Sequence, residues 1–132
     1  MLHVEDSETL RGMMKKKVAE IPDVKFGQYN ISSEPSCSEI AKAIEDRKFE
    51  NREFQKDIKS IDSEANRKAG SEKEYCNFLK QYHARRIAYF VVHGWKDPIV
   101  LRENGTVKDG LHRLKAAIYK GVETIDVTTD LA

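Results

Sequence analysis

The sequence predicts an α+β protein, with helices over most of the first two thirds and short strands with one helix in the last third. Apolar residues recur at three- and four-residue spacing through most of residues 7–93, which is the period of an amphipathic helix. From Pro98 onwards the apolar residues form short runs, separated by an Asn-Gly pair and two further glycines. Such runs are typical of short strands joined by turns.

Composition limits the classes to which the protein can belong. Its 132 residues are enough for one domain with a hydrophobic core. The 23 Lys and Arg residues nearly balance 22 Asp and Glu residues, so no overall charge favours nucleic acid or an anionic membrane. Cys37 and Cys76 lack metal-ligand spacing and are predicted to have no part in activity. With no apolar run near the roughly 20 residues of a membrane span and no signal-peptide pattern, a cytoplasmic protein without membrane contact is expected.

The first elements are predicted from spacing and capping residues. Residues 7–21 are predicted to be a helix capped by Ser7, and residues 24–31 a short strand. Ser36 and Glu39 have the spacing of a capping box, in which each side chain bonds the backbone N–H of the other residue. A helix is therefore expected to begin there, with an apolar face that is formed by Ile40, Ala43 and Ile44.

Two further helices follow. Phe54, Ile58, Ile61 and Ala65 share one helical face before Gly70. Ser71 and Glu74 form a second capping-box pattern and open a long helix that is expected to end at Gly94. The aromatic residues of this helix are predicted to lie in the core; they are Tyr75, Phe78 and Tyr82. A basic run on the same helix favours a solvated face over a contact with phosphate or nucleic acid, and consists of Lys80, Arg85 and Arg86.

The last third is predicted to alternate strands, turns and one helix. Residues 99–101 and 106–107 are expected to pair across the Asn104-Gly105 hairpin turn. A short helix then ends at Gly121, and residues 124–127 form the last strand. The core face of that helix is expected to consist of Leu114, Ala117 and Ile118.

The entrance of this last helix is the strongest candidate for an anion site. The first N–H groups of a helix have no intrahelical partner, and the helix dipole favours negative charge there. Gly110 allows close approach of a ligand to the backbone, and His112 and Arg113 add side-chain donors at the same end. A phosphate-bearing ligand is therefore expected.

Residues 85–127 resemble the ParB/sulfiredoxin-like superfamily, also called the ParB-like nuclease domain. The similarity lies in the order of six segments, which are RRIAYFVVHGW, DPIVL, TVKDG, LHRLKAA, YKG and ETIDV. The first 70 residues resemble no family. The resemblance implies one α+β domain over residues 1–132, with a small mixed sheet and helices in a motif-bearing part (71–132) and a helical extension (1–70).

The resemblance also implies a ligand and a site. Members of the superfamily include partition proteins that bind and hydrolyse CTP, sulfiredoxins that use ATP, free-serine kinases, and proteins described as nucleases. By this resemblance a nucleoside triphosphate, ATP or CTP, with Mg²⁺ would bind here. The implied catalytic residues are Asp109 and His112, with Asp109 also holding the metal. The implied nucleotide contacts are Gly110, Leu111, His112, Arg113 and Leu114.

Departures from the family patterns restrict the activity. Sulfiredoxins carry their catalytic cysteine directly before the His-Arg pair, where this chain has Leu111. Without a thiol nucleophile, their repair reaction is excluded. Partition proteins continue into a helix-turn-helix region, whereas this sequence ends a few residues after its last predicted strand. The additional catalytic acid of the kinases cannot be assigned.

Several interpretations therefore remain open. The first is a nucleotide-binding protein with metal-dependent hydrolysis or phosphoryl transfer. The alternatives are a non-catalytic regulatory module of a phage or plasmid that acts on a DNA or protein partner, and a metal-dependent nuclease. Each site residue also has a structural alternative: Asp109 and His112 could cap the helix, and Arg113 could pair with Asp109 or Glu123. The oligomeric state is not predicted.

Overall fold

The structure, a computed structural model, describes residues 13–130. In chain order its elements are β1 (Met14–Lys17), a 3-10 turn (Val18–Glu20), β2 (Gly27–Gln28), β3 (Ile31–Ser32), α1 (Cys37–Glu45), α2 (Phe54–Lys68), α3 (Glu72–His93), β4 (Ile99–Arg102), β5 (Val107–Asp109), α4 (Leu111–Lys120) and β6 (Thr124–Asp130). The described residues thus contain four α-helices, one four-stranded sheet and one two-stranded sheet. The predicted α+β class is confirmed.

The chain divides into two compact units, and the first of them is formed by two segments that are separated in sequence by the second. Within the described residues, the first unit combines residues 13–24 with residues 95–130, and the second unit comprises Lys25–Gly94. Gly70, the predicted end of the helical extension, lies inside the second unit. The helix-entrance motif therefore belongs to a unit that is built from both ends of the chain.

The first unit is built on a mixed sheet with the strand order β1-β6-β4-β5. β6 runs parallel to β4, whereas β1 pairs antiparallel with β6 and β5 antiparallel with β4. α4 connects β5 to β6, so the helix entrance directly follows an edge strand. The predicted strands, the turn and the helix of this region are all present, and β6 extends three residues beyond its predicted end.

The core of the first unit lies between this sheet and α4. It contains alternate residues of β4 and β6, two residues of α4 and two from the segment after β1: Ile99, Leu101, Ile125, Val127, Leu114, Ala117, Val18 and Ile21. The prediction for α4 is wrong at Ile118, which is 43% exposed. The helix is instead buried along the consecutive residues 114–117, because Lys115 and Ala116 are also covered.

The predicted helix over residues 7–21 is wrong in its described part. Residues 14–17 form β1, whose register pairs Met14 with Val127 and Lys17 with Thr124. Val18 and Ile21 still enter the core, but through a 3-10 turn after the strand. The backbone N–H and C=O groups of β1 are satisfied by hydrogen bonds to β6. Because β6 is far away in sequence, the local spacing of apolar residues does not reveal this pairing. The predicted cap, Ser7, lies outside the described residues.

The second unit begins with a small hairpin. The single strand predicted over residues 24–31 is instead two strands, β2 and β3, joined by a two-residue turn. Both turn residues, Tyr29 and Asn30, have positive φ values, 55° and 60°. Positive φ values at both turn residues match the right-handed twist of the flanking strands in a two-residue hairpin. Tyrosine rarely adopts this left-handed conformation.

α1 begins with the predicted capping box. The Ser36 hydroxyl accepts a hydrogen bond from the Glu39 amide, and the Glu39 carboxylate accepts one from the Ser36 amide. At the other end the amides of Arg47 and Lys48 donate to the carbonyls of Ile44 and Ala43. This is a Schellman ending, in which the residue in the left-handed conformation is usually glycine. Here that residue is Arg47, with φ 54°.

α3 is the central helix of the second unit and packs against α1 and α2. Ser71 caps it by accepting a hydrogen bond from the Glu74 amide, and Gly94 ends it with φ 77°. Ile61, Leu79 and Tyr82 are buried together, with Tyr75 and Phe78 packed beside them. The predicted core role of these aromatic residues is confirmed.

Candidate functional site

The N-terminus of α4 is left without a side-chain cap. Gly110 is the N-cap residue and has a left-handed backbone, with φ 103° and ψ 22°. Its carbonyl accepts the first helical bond, from the Leu114 amide at 2.9 Å. Since glycine has no side chain, no N-cap group accepts from the N–H groups of the first turn. Asp109 precedes the N-cap and does not cap α4, so that alternative is wrong.

Arg113 is anchored to the chain that leads into β4. Its Nη1 donates to the carbonyl oxygens of Asp97 at 2.8 Å and Pro98 at 3.2 Å. Its Nη2 lies 3.4 Å from Oδ2 of Asp109, and only 11% of the side chain is exposed. The pairing with Asp109 is thus present, and the guanidinium is fixed at the helix entrance by backbone acceptors.

The guanidinium of Arg113 lies directly over Gly110. A Cβ atom added at Gly110 would be 2.9 Å from Nη2 and 3.1 Å from Cζ. A side chain at this position would therefore meet the guanidinium as well as strain the left-handed backbone. The left-handed backbone is the main reason for glycine here, and the nearby guanidinium would in addition have to shift.

The other predicted site residues contribute in different ways. Leu114 is completely buried and its amide already donates to the Gly110 carbonyl, whereas Leu111 packs against the same core and can offer a ligand only its backbone amide. His112 is half-buried within the first turn. The Asp109 side chain is 63% exposed at the end of β5. Asp109, Gly110, His112 and Arg113 are therefore adjacent at one end of α4.

A metal at this site would have few protein ligands. Within residues 13–130 no group of three or more His, Cys, Asp or Glu side chains could hold a metal ion. Magnesium is commonly held by one or two carboxylates together with the phosphates of its ligand. The single carboxylate of Asp109 fits a metal only in that arrangement.

Lys115 is not solvent-exposed, in contrast to what its charge and its position beyond the motif suggest. Its side chain is 4% exposed, and Nζ lies 2.7 Å from Oδ1 of Asp23. The two residues are 92 positions apart in sequence. No local sequence pattern predicts this pair. The one local sign is that Asp23 lies two residues after Ile21, which is buried.

The basic run on α3 is also not a uniformly solvated face. Arg86 is 6% exposed, and its guanidinium lies 4.5 Å from the centre of the Phe90 ring. Its Nη1 is 3.4 Å from the Glu50 carbonyl oxygen, and Nη2 is 3.9 Å from the Glu53 carboxylate. The predicted solvated position is therefore wrong for Arg86, because the segment before α2 covers it.

Burial and hydrogen bonds shift several pKa values next to Arg86. Burial raises the pKa of Tyr82, whose hydroxyl donates to the Arg52 carbonyl at 2.8 Å. Burial also acts to raise the pKa of Glu50, but hydrogen bonds from Arg52 outweigh it and the pKa is lowered. At neutral pH Tyr82 is thus neutral and can donate to the Arg52 carbonyl, and Glu50 is ionised and can accept from the Arg52 guanidinium.

The two cysteines lie far from the helix entrance in sequence and belong to the second unit. Cys37 is exposed at the start of α1, whereas Cys76 is buried in α3 with Sγ 3.4 Å from the Gln28 carbonyl oxygen. The variant with Cys37→Ser and Cys76→Ser is expected to keep ligand binding, with a stability loss of about 1 kcal/mol or more from the polar hydroxyl at the buried position. Binding titrations and thermal melts check this. Loss of ligand binding in a folded double variant would contradict it.

Comparisons with models of protein families, with curated proteins and with solved structures find no match. None of the helices within residues 13–130 is both long enough and apolar enough to cross a membrane.

Proposed function

We propose that the first unit binds the phosphates of a nucleoside triphosphate, ATP or CTP, at the N-terminus of α4. The observation that supports this best is the combination at Gly110 of a first helical turn without a side-chain cap and a fixed guanidinium. Backbone N–H groups and the helix dipole favour a phosphate at such a position. Two carbonyls hold Nη1 of Arg113, and its Nη2, Cζ and Nε atoms all lie within 3.2 Å of the position that a Cβ of Gly110 would take.

The fold of the first unit supports the same proposal. A strand, a hairpin partner, a helix and a strand parallel to the first follow one another as β4, β5, α4 and β6. This is the region whose sequence resembles the ParB/sulfiredoxin-like superfamily, and we propose that fold for it. Because related folds carry different activities, binding is proposed first and catalysis second.

Catalysis would use the two polar side chains on either side of Gly110. Mg²⁺ held by Asp109 and the ligand's phosphates would neutralise charge on the phosphoryl group, and His112 would hold or move a proton beside it. Hydrolysis or transfer of the terminal phosphoryl group is the activity that we propose. Cleavage of nucleic acid with the same two residues is the alternative.

A thermal-shift panel tests the proposal. The protein is heated with ATP, CTP, GTP or ADP, each with and without Mg²⁺. A ligand present at about one hundred times its dissociation constant should stabilise the protein by ~2.7 kcal/mol. Stabilisation by a triphosphate, but not by the same concentration of inorganic sulfate, supports the assignment. The absence of any shift at millimolar nucleotide would refute it.

Asp109→Asn is expected to abolish nucleotide turnover in the presence of Mg²⁺ while binding remains within a few-fold. The amide holds a metal poorly, because it lacks the negative charge of the carboxylate. Stability should change by less than about 1 kcal/mol, since the Asp109 side chain is 63% exposed and Arg113 keeps its two carbonyl acceptors. Phosphate release measured with Mg²⁺ and with chelator checks the prediction, and Glu103→Gln on the β4–β5 hairpin is the control. Turnover that persists in Asp109→Asn removes this residue from the mechanism.

A further inference from the structure

A surface of the second unit combines unpaired positive charge with aromatic rings. Its residues come from the segment after α1 and from the C-terminal half of α3. We define the basic aromatic patch as Arg47, Lys48, Phe49, Arg85, Tyr89 and His93. Arg47, Lys48 and His93 are exposed, and Phe49, Arg85 and Tyr89 are half-buried.

A shared helix face and one backbone hydrogen bond bring the residues of the patch next to one another. Arg85, Tyr89 and His93 follow one another at four-residue spacing on α3 and therefore share one helical face. The Glu50 amide donates to the Arg85 carbonyl at 3.2 Å, which fixes the segment after α1 against that face.

The aromatic rings of the patch are in mutual contact. The His93 ring lies 4.7 Å from the Tyr89 ring and 5.3 Å from the Phe49 ring, measured between centroids. Neither contact is a parallel stack, since the planes are inclined by 46° and 78°. The Arg86 guanidinium lies 6.0 Å from the centre of the Tyr89 ring, so a further planar group would have to lie against the part of this half-exposed ring that is open to solvent.

The cations of the patch form no ion pair with any residue in the range 13–130. Within the described residues Arg47, Lys48 and Arg85 form no ion pair, whereas most nearby carboxylates do. Asp46 pairs with Lys42 at 3.1 Å and Glu50 with Arg52 at 2.8 Å. Glu53 faces Arg86 and Lys56 at 3.9 and 3.8 Å. Within the segment 45–53, Glu45 is the carboxylate without an ion pair, so the unpaired residues Glu45, Arg47 and Lys48 together with Arg85 carry a net positive charge.

The backbone of Arg47 gives an independent indication of function. Its φ of 54° is at the position of a Schellman ending where glycine avoids strain. A non-glycine residue in such a conformation is an outlier from which a hypothesis of function can start. Here the side chain is an exposed, unpaired guanidinium.

We propose that the basic aromatic patch binds single-stranded nucleic acid. Arg47, Lys48 and Arg85 would contact successive phosphates, and Tyr89 with His93 would stack on bases. This combination of a positive track and aromatic faces is the usual means of binding single strands without sequence preference. The proposal is independent of the nucleotide site, since every residue of the patch lies in the second unit.

Fluorescence anisotropy with labelled dT20 and rU20, on the full chain without nucleotide, tests this proposal. The triple variant Arg47→Ala, Lys48→Ala, Arg85→Ala should reduce the slope of log affinity against log salt by about 2, because each phosphate contact contributes roughly 0.7. The matched control is Lys59→Ala, Arg67→Ala, Lys73→Ala, which removes the same charge from exposed residues that also lack ion pairs. The control should leave the slope unchanged.

A second pair of variants tests stacking. Tyr89→Ala should weaken binding about tenfold, whereas Tyr29→Ala, which removes a 56% exposed ring, should not. Tyr89→Leu repeats the test with an apolar side chain that preserves more of the packing, should Tyr89→Ala fail to fold.

The strain at Arg47 provides a third readout. Arg47→Gly should raise the melting temperature by about 3 °C while it weakens binding, a combination that a purely structural residue would not produce.

Defined results would overturn the proposal. These are no binding of either strand by the wild-type chain at low salt, equal effects of the two triple variants, and wild-type affinity in both Tyr89 variants. Displacement of dT20 by polyglutamate at equal charge concentration would also overturn it, because an acidic protein surface would then fit as well. Preference between dT20 and rU20 identifies the kind of strand, and binding of either one supports the proposal.

Discussion

Asp23→Ala is expected to lower the free energy of unfolding by about 3 kcal/mol, the largest effect that we expect from a single polar substitution. The reason is that the amino group of Lys115, whose side chain is 4% exposed, would lose the carboxylate 2.7 Å away. Removing one partner of a buried ion pair typically costs 3–5 kcal/mol, and the partial exposure of Asp23 places the effect at the lower end of that range. Urea denaturation monitored by circular dichroism measures it.

The first unit contains a matched control for this experiment. Asp126 pairs with Lys15 at the same distance, 2.7 Å, but the two side chains are 46% and 71% exposed. Asp126→Ala should therefore change the stability by less than about 1 kcal/mol. Adding Lys115→Met to Asp23→Ala should restore part of the loss, because the buried charge is then removed. Equal losses in Asp23→Ala and Asp126→Ala would contradict the buried pair.

Arg113→Ala is expected to weaken nucleotide binding by about tenfold or more. A hydrogen bond to a charged group contributes roughly 1.5–3 kcal/mol, and the guanidinium at Gly110 is the charged donor that the site fixes most firmly. Isothermal titration with the nucleotide that shifts the melting temperature measures the effect. Lys115 is unsuitable as a control because it is buried, so Lys120→Ala at the exposed end of α4 takes that place.

Arg113 also stabilises the fold, which the experiment has to separate from binding. Its bonds to the carbonyls of Asp97 and Pro98 connect α4 to the start of β4. Arg113→Ala is therefore expected to lower the stability as well. Its affinity for the nucleotide is compared with that of the wild-type protein at a temperature where both proteins are folded. Arg113→Lys keeps the charge but loses the fork of donors, so intermediate affinity is expected. Wild-type affinity in folded Arg113→Ala would exclude the helix entrance as the phosphate site.

Helix boundaries were the most predictable part of this fold. Ser36 with Glu39, Ser71, and the glycines at positions 94 and 121 each mark an end that the structure confirms. The interactions that decide these ends lie within about four residues of one another, so the local sequence contains them. The same holds for the start of α4 at Gly110, the feature on which the candidate site depends.

The surroundings of the candidate site were less predictable. The sequence identified Gly110 and Arg113 but not the carbonyls of Asp97 and Pro98, which hold the guanidinium from 16 and 15 residues away. Main-chain acceptors carry no residue type that a sequence pattern could reveal. The basic aromatic patch was missed for a related reason, because the segment after α1 meets α3 only in the folded unit.

By itself, the sequence determined the α+β class, the helix ends at Ser36, Ser71, Gly94 and Gly121, and the glycine at the entrance of α4, because short-range backbone preferences and capping bonds settle them. Only the tertiary structure decided that residues 14–17 are an edge strand, that Lys115 is buried and that Arg86 is covered. The partners in these cases are distant, as with Lys15 and Asp126, which are 111 positions apart. Local spacing cannot encode such contacts, and pairing and burial then outweigh the intrinsic preference of a short segment for a helix or for solvent.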